Sequence, residues 1–282
     1  MTDPSLSAQL RRVVTEAMPR AISELTELVA IPSVSWPSFD QAQVRRSAAA
    51  IATLAGDSGV FDEVNVRTAA IPGTAESGQP AVLATRAGRP GERRVLLYAH
   101  HDVQPVGDEA AWLTPPFRAT EKDGRLYGRG TADDKAGVLT HLASLRALSE
   151  VLGDELGIGI TLFVEGEEEY GSRSFGQFLS DHRDALAADL IVVADSGNWD
   201  SRTPGITVAL RGNTRFTLTV RTLAHALHSG MYGGVVPDAM LATIKLLGAL
   251  WDEHGTVVVP GLARRDAPTP GYDEARLREE TD

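Results

Sequence analysis

The chain has 282 residues, enough for two modest domains or one large one, and its 43% hydrophobic and 23% charged residues are ordinary globular composition, not that of a disordered or fibrous chain. Its 38 Asp and Glu outnumber 27 Lys and Arg, and the resulting net charge of −11 disfavours nucleic acid or any other polyanionic partner. With no Cys, disulfides, thiolate metal sites, iron–sulfur clusters and cysteine nucleophiles are excluded, so any metal must be held by His, Asp and Glu.

The first residues, Met1-Thr-Asp-Pro-Ser, show no basic stretch followed by an apolar core. No apolar run approaches the ~20 residues needed to span a bilayer, so the expectation is a soluble, cytoplasmic protein without a membrane partner. Residues 10–29 carry apolar side chains at helical spacing, among them Leu10, Val13, Val14, Ile22, Leu25 and Leu28. Pro19 predicts a kink or two shorter helices there, and Pro32 and Pro37 close the segment. A second helix is predicted over residues 41–55. Next to it, Gly56-Asp-Ser-Gly59 resembles a serine-protease string only superficially, since it closes a helix and has no arranged His.

Three apolar runs follow that each read as a buried strand: residues 94–99, ending at His100; residues 160–164, ending at Glu165; and residues 190–194, ending at Asp195. Between the first two, residues 136–152 form a predicted helix with Val138, Leu142, Leu145 and Leu148 on one face. Strand–helix alternation predicts an α/β fold with a mostly parallel sheet flanked by helices. In such sheets ligands bind beyond the carboxyl ends of the strands, where these three runs place a His and two acids. Past residue 198 the pattern changes. Residues 215–221 alternate strictly, a half-exposed antiparallel strand, and Pro237 opens a helix through Met240, Leu241, Ile244, Leu247 and Trp251 that stops near Gly255. Residues 263–282 are polar, with no capping signal or closing strand. The predicted division is a first domain over residues 1–203 and a smaller α+β domain over 204–282.

Four segments carry chemistry. In Tyr98-Ala-His-His-Asp-Val-Gln-Pro105, His100 and Asp102 point the same way on an extended chain, as a metal ligand and the acid behind it do; a His in a polar loop is the blander reading. In Leu126-Tyr-Gly-Arg-Gly-Thr-Ala-Asp-Asp-Lys-Ala-Gly137, the adjacent acids either cap the following helix or bridge two cations. A dinucleotide loop is disfavoured because Asp133 occupies the third Gly position, next to where a pyrophosphate would lie. Glu165-Gly-Glu-Glu-Glu-Tyr-Gly-Ser172 places four carboxylates in five residues straight after a buried strand, a repulsion that bound cations relieve. Asp195 closes an apolar strand and needs a partner. A sulfur-free set of N and O donors suits Zn or Mn in hydrolysis.

These segments, with Leu28-Val-Ala-Ile-Pro-Ser-Val-Ser35 before them and Leu227-His-Ser-Gly230 after, resemble the co-catalytic metallopeptidases that include cytosolic dipeptidases, carnosinases, carboxypeptidase G, aminoacylases and acetylornithine deacetylase. The likeness runs from about residue 24 to 261, and Gln104-Pro105 with Asp133-Asp134-Lys135 is most similar to the dipeptidase branch. The resemblance implies a catalytic domain followed by a lid or dimerisation domain, two divalent ions (Zn or Mn), a small peptide substrate and a homodimer through the lid. It implies that His100 and Asp195 bind one metal, that Asp133 bridges both with a cis peptide to Asp134, and that Glu169 binds the second. Asp102 would orient His100, Glu168 would be the general base, and His228 of the lid would reach the substrate, in dimeric members across to the neighbouring subunit. Glu165 and Glu167 match no catalytic position.

The implied activity is hydrolysis of the amide bond of dipeptides or short peptides. N-deacylation of amino acids by the same metal chemistry is the alternative, and a catalytically silent binding or oligomerisation module is a third reading. The family's further His ligand after the lid has no counterpart among His100, His101, His141, His182, His225, His228 and His254. His254 reads as a structural residue at a helix end, and His141 and His182 as solvated. The expectation is a chain that breaks off inside the lid and is weakly active or inactive unless a partner supplies the rest.

Overall fold

A computed structural model describes residues 4–198, 200, 203–207, 210, 212–263 and 273–281. The chain divides into two compact units, Met1–Val208 and Ala209–Asp282.

In the first unit, α1 (Pro4–Val29) runs through Pro19 as one helix and not as two shorter ones. Its apolar row continues on both sides of the proline: Val14, Met18, Ile22 and Leu25 face Leu139, Thr140 and Ala143 of the helix below. Pro19 itself sits on the exposed side, so packing holds the helix together across the lost hydrogen bond. Helix α2 (Gln41–Gly56) starts where the Asp40 carboxylate accepts from the Ala42 amide, and it buries Val44, Ala48, Ile51 and Ala55.

The strands are β1 (Glu63–Arg67), β2 (Ala81–Arg86) and β3 (Arg94–His100), then a small hairpin of β4 (Thr120–Lys122) and β5 (Arg125–Tyr127). Helix α3 (Lys135–Leu152), β6 (Gly159–Glu165), the short helices α4 (Phe175–Asp181) and α5 (Arg183–Leu186), and β7 (Leu190–Val193) complete the unit. The main sheet has the order β1-β2-β6-β3-β7. Its β6–β3 and β3–β7 pairings are parallel, whereas β1–β2 and β2–β6 are antiparallel. The sheet is therefore mixed where a mostly parallel one was expected, because β1 and β2 escaped the sequence reading. The three strands that carry the chemistry are the parallel ones.

One face of the sheet packs Val82, Leu97, Leu162 and Val164 against Ile51 of α2 and Leu142 of α3. The other packs Leu83, Leu96 and Phe163 against Phe178 and Leu186, with the Phe163 and Phe178 rings stacked at 4.9 Å. Strand β6 is buried along its whole length, as its apolar run predicts. Strand β7 is not: Leu190, Ile191, Val192 and Val193 are 41–60% exposed, because β7 has only β3 as a neighbour among the described residues.

In the second unit, the strand expected over residues 215–221 does not form. Its described residues offer it no ladder partner, and Phe216 is 70% exposed. Helix α6 (Ser229–Tyr232) is short, and α7 (Ala239–Gly248) is capped by the Asp238 carboxylate accepting from the Leu241 amide. Helix α7 ends before the expected Gly255. A turn follows in which Asp252 accepts from the amides of His254 and Thr256, so His254 is not at a helix end. Of the polar stretch 263–282, residues 264–272 lie outside the described residues, and α8 (Glu274–Thr281) forms where no regular element was expected.

Candidate metal centre

Parallel register sets His100, the last residue of β3, opposite Glu165, the last of β6, so both loops that follow leave from the same sheet edge. The His100 ring is buried. Its Nδ1 lies 3.1 Å from the main-chain oxygen of Asp102 and 3.4 Å from Asp102 Oδ1. Both are acceptors, so Nδ1 carries the proton and donates, which leaves Nε2 as the ligating nitrogen. Nε2 points to Asp133 Oδ1 at 3.0 Å and to Asp195 Oδ2 at 3.8 Å. Burial alone works to lower the His100 pKa, but the carboxylates of Asp102 and Asp133 prevail and push it up to about 11. A cation at Nε2 and that second proton compete for one position.

The peptide between Asp133 and Asp134 is cis. Asp134 precedes α3 but makes no side-chain cap to it; its Oδ2 accepts from the His100 amide at 3.1 Å. Its Oδ1, buried, lies over the first turn of α3, where a Cβ at position 137 would collide with it, so Gly137 makes room for the carboxylate. Burial pushes Asp134 up to about 7. Asp133, which is more exposed, is held below the usual carboxylate range by its hydrogen bond with His100. The adjacent acids are therefore not a helix cap: one faces the centre and the other secures the backbone of its histidine.

The four acids that close and follow β6 separate into two pairs. Glu165 is buried and accepts from the Tyr98 hydroxyl at 2.7 Å; burial pushes it up to about 7. Glu167, also buried, accepts from the Ser174 amide and hydroxyl, each at 2.6 Å, and from the Gln79 amide at 3.1 Å. Glu168 and Glu169 instead lie half-buried on a single 3₁₀ turn, Glu168–Tyr170, and burial raises the pKa of both. Asp102 anchors this turn by accepting from the amides of Glu168 at 3.1 Å and Glu169 at 3.0 Å.

The donors converge in two groups, His100 with Glu168 and Asp195, and His100 with Asp133 and Glu169, and within each group the ligand atoms lie within 4.8 Å of one another. Every residue expected to bind metal is in one group or the other. His100, not Asp133, is common to both, and Glu168 joins as a fourth carboxylate. An imidazole whose Nε2 faces crowded carboxylates, with no sulfur donor, fits a divalent cation such as Zn or Mn. Of the remaining expected site residues, Asp102 lies behind His100, whereas His228 belongs to the second unit. There its Nδ1 accepts from the Gly230 amide at 3.1 Å, leaving Nε2–H as an outward donor.

The other histidines of the first unit sit in different surroundings. Burial pushes His101 down to about 4, and its neutral ring donates to Pro80 O at 2.8 Å. His141 is buried, not solvated, and bonds Tyr98 O at 2.9 Å, while His182 stands against the Phe178 ring at 4.5 Å. Sequence reasoning assigned no role to three residues that support the centre. The Ser35 hydroxyl donates to Asp102 Oδ2 at 2.6 Å. The Gln104 amide donates to Glu169 Oε2 at 2.6 Å. The fully buried Lys135 ammonium donates to Leu28 O at 2.8 Å and Ile31 O at 2.7 Å. For Gln104 a signal existed, since it continues the two-residue spacing of His100 and Asp102.

Residues 96–276 match the model of peptidase family M20/M25/M40. A cysteinylglycine-S-conjugate dipeptidase of Corynebacterium striatum is 38% identical over 169 residues, 60% of this chain and 37% of its own. A human Beta-Ala-His dipeptidase is 33% identical over 265 residues, 92% of this chain and 52% of its own. The chain thus spans about half the length, or less, of these curated relatives. Among solved structures, the dipeptidase Dug1p of Saccharomyces cerevisiae superposes with a TM-score of 0.65 at 25% identity, covering 99% of this chain and 58% of that one. Human carnosine dipeptidase 1 does so with 0.63 at 27%, covering 93% and 55%. A family match over most of the chain and a shared fold agree with the donors gathered at the sheet edge: the chain belongs to peptidase family M20/M25/M40.

Proposed function

We propose that this chain carries the metal-binding machinery of a hydrolase that cleaves the amide bond of dipeptides. The observation that carries this reading is the convergence of His100 Nε2, at the end of β3, with carboxylates from the loops after β6 and β7 and the loop before α3. The names of the relatives, Cys-Gly and Beta-Ala-His dipeptidases, favour a dipeptide over an N-acylated amino acid.

In this reading His100 and Asp195 would hold one ion and Glu169 the second, with Asp133 serving both, and Zn or Mn would suit such donors. Bound divalent ions supply Lewis acidity, which makes water more acidic and the scissile carbonyl more electrophilic. Glu168 lies with His100 and Asp195 on a turn held by Asp102, and its burial favours the protonated acid more than in water. It therefore suits a base that takes a proton from water and returns it to the leaving amine. Asp102 keeps the His100 Nδ1–H engaged so that Nε2 stays available. His228, with Nε2–H as donor, would stabilise the developing oxyanion. A homodimer through the second unit belongs to the same reading, supported by the exposure of Met240, Leu241 and Ile244 on α7, as does a cytoplasmic location. No helix among the described residues is long and apolar enough to cross a membrane.

The test is hydrolysis of a dipeptide panel and of N-acetyl amino acids by the metal-loaded chain and its Glu168→Ala variant, with elemental analysis of both. The variant is expected to keep its metal and lose turnover by about 10²–10⁴-fold. Near-normal turnover would remove Glu168 as the base, and faster hydrolysis of the N-acetyl substrates would replace the dipeptidase reading with a deacylase.

A further inference from the structure

Beyond the residues that reach a metal directly, the loop after β3 places His100, Asp102 and Gln104 at every second position, and on an extended chain such residues share a side. Each of the three engages the centre differently. His100 offers Nε2, and Asp102 accepts from the two amides of the turn that carries Glu168 and Glu169. Gln104 completes the series. Its Nε2 donates to Glu169 Oε2 at 2.6 Å and lies 3.3 Å from Glu169 O, so one amide grips both the carboxylate and the main chain of that residue.

We propose that Gln104 is a positioning residue for the ion that Glu169 would hold, fixing that carboxylate in the group it forms with Asp133 and His100. The inference rests on the metal-centre reading above. Glu169 is half-buried, and its flexible stem has several rotamers available at the end of a single 3₁₀ turn. A neutral amide donor suits this task. It occupies one carboxylate oxygen, adds no charge to compete with a cation, and lowers the cost of keeping the carboxylate ionised where burial opposes it. Lys at the same place would compete with the ion for Glu169, and Glu would repel it. Gln104 bonds to Glu169 and not to Asp195, which with His100 would hold the other ion, so the effect belongs to one ion and not to the whole centre.

The experiment titrates Co²⁺ into the metal-free full chain, following the visible absorption and the bound metal by equilibrium dialysis, for the unsubstituted chain, Gln104→Met and Glu169→Ala. Met keeps the length and most of the volume of Gln without its donor, which separates hydrogen bonding from packing. Gln104→Met is expected to weaken by about 10–100-fold the same binding step that Glu169→Ala removes, with the remaining step unchanged and the melting temperature of the metal-free chain preserved. Binding that Gln104→Met leaves unchanged at every step would overturn the role of Gln104 alone, as would an equal loss at all steps. Failure of the unsubstituted chain to bind any Co²⁺ would overturn the metal-centre reading and this inference with it.

Discussion

Two buried carboxylates in the acidic segment, Glu165 and Glu167, behave differently from the two that face the centre, and their partners decide this. Glu167 has three donors on its oxygens and resolves no need of a cation. Glu165 has the hydroxyls of Tyr98 and Ser172, which do not overcome its burial, so its pKa stands at about 7 against 4.5 for an unburied Glu. The folded chain thus holds a proton there that the unfolded chain releases between those values. Stability from this group is present below about pH 4.5, falls as pH rises and is lost above about pH 7, an effect on the order of 3 kcal/mol. Glu165→Gln keeps an acceptor for Tyr98 without the charge. Urea unfolding of the metal-free variant at pH 5 and pH 8 is expected to show a flatter pH dependence and greater stability at pH 8 than the unsubstituted chain. An unchanged slope would mean that Glu165 is ionised throughout.

At the scale of elements, the centre depends on how helix ends meet strand ends. Lys135 opens α3 and sends its ammonium through the core to the carbonyls of Leu28 and Ile31 at the close of α1, where the helix dipole favours a cation. It thereby ties the end of α1 to the loop that presents Asp133, and the same stretch after α1 supplies Ser35 to Asp102. Lys135→Met fills the volume but takes the ammonium from two buried carbonyls, which keep only the Ile31 and Ser33 amides as donors. We expect a loss of about 1–3 kcal/mol in stability, measured by denaturant unfolding, together with weaker metal binding. A loss below about 0.5 kcal/mol would show that water replaces the ammonium. The sequence already announced β3, β6, α2 and α3, whose apolar patterns match their burial, and the residues at the strand ends. It did not disclose β1, in which Glu63, Asn65 and Arg67 interleave with Val64 and Val66, because so short a polar alternation stands out only when β2 lies beside it.

For the molecule as a whole, apolar surface remains uncovered in both units among the described residues. In the second it includes Phe216, Met231, Met240 and Ile244, and in the first it is the edge strand β7. An edge of four consecutive apolar residues presents unpaired backbone groups to any other strand. Ile191 is 60% exposed and contributes little to the core. Ile191→Lys is therefore expected to reduce concentration-dependent self-association in sedimentation velocity while changing stability by no more than about 0.5 kcal/mol. Unchanged association would assign it to another surface, with the second unit next to be tested.

The sequence by itself determined the chemistry available: without Cys the donors are His and carboxylate, and strand periodicity delivers His100, Glu165 and Asp195 to one sheet edge. It could not decide among neighbours. Only the tertiary structure separates Glu165 and Glu167 from Glu168 and Glu169, turns Asp134 away from its helix to the His100 amide, and recruits Ser35 and Gln104. Periodicity reports which face of an element is apolar, and that is a local property. Whether a given carboxylate meets a hydroxyl, an amide or a cation depends on partners tens of residues away, such as Gln79 for Glu167 and Tyr98 for Glu165, which chain folding alone brings within hydrogen-bonding distance.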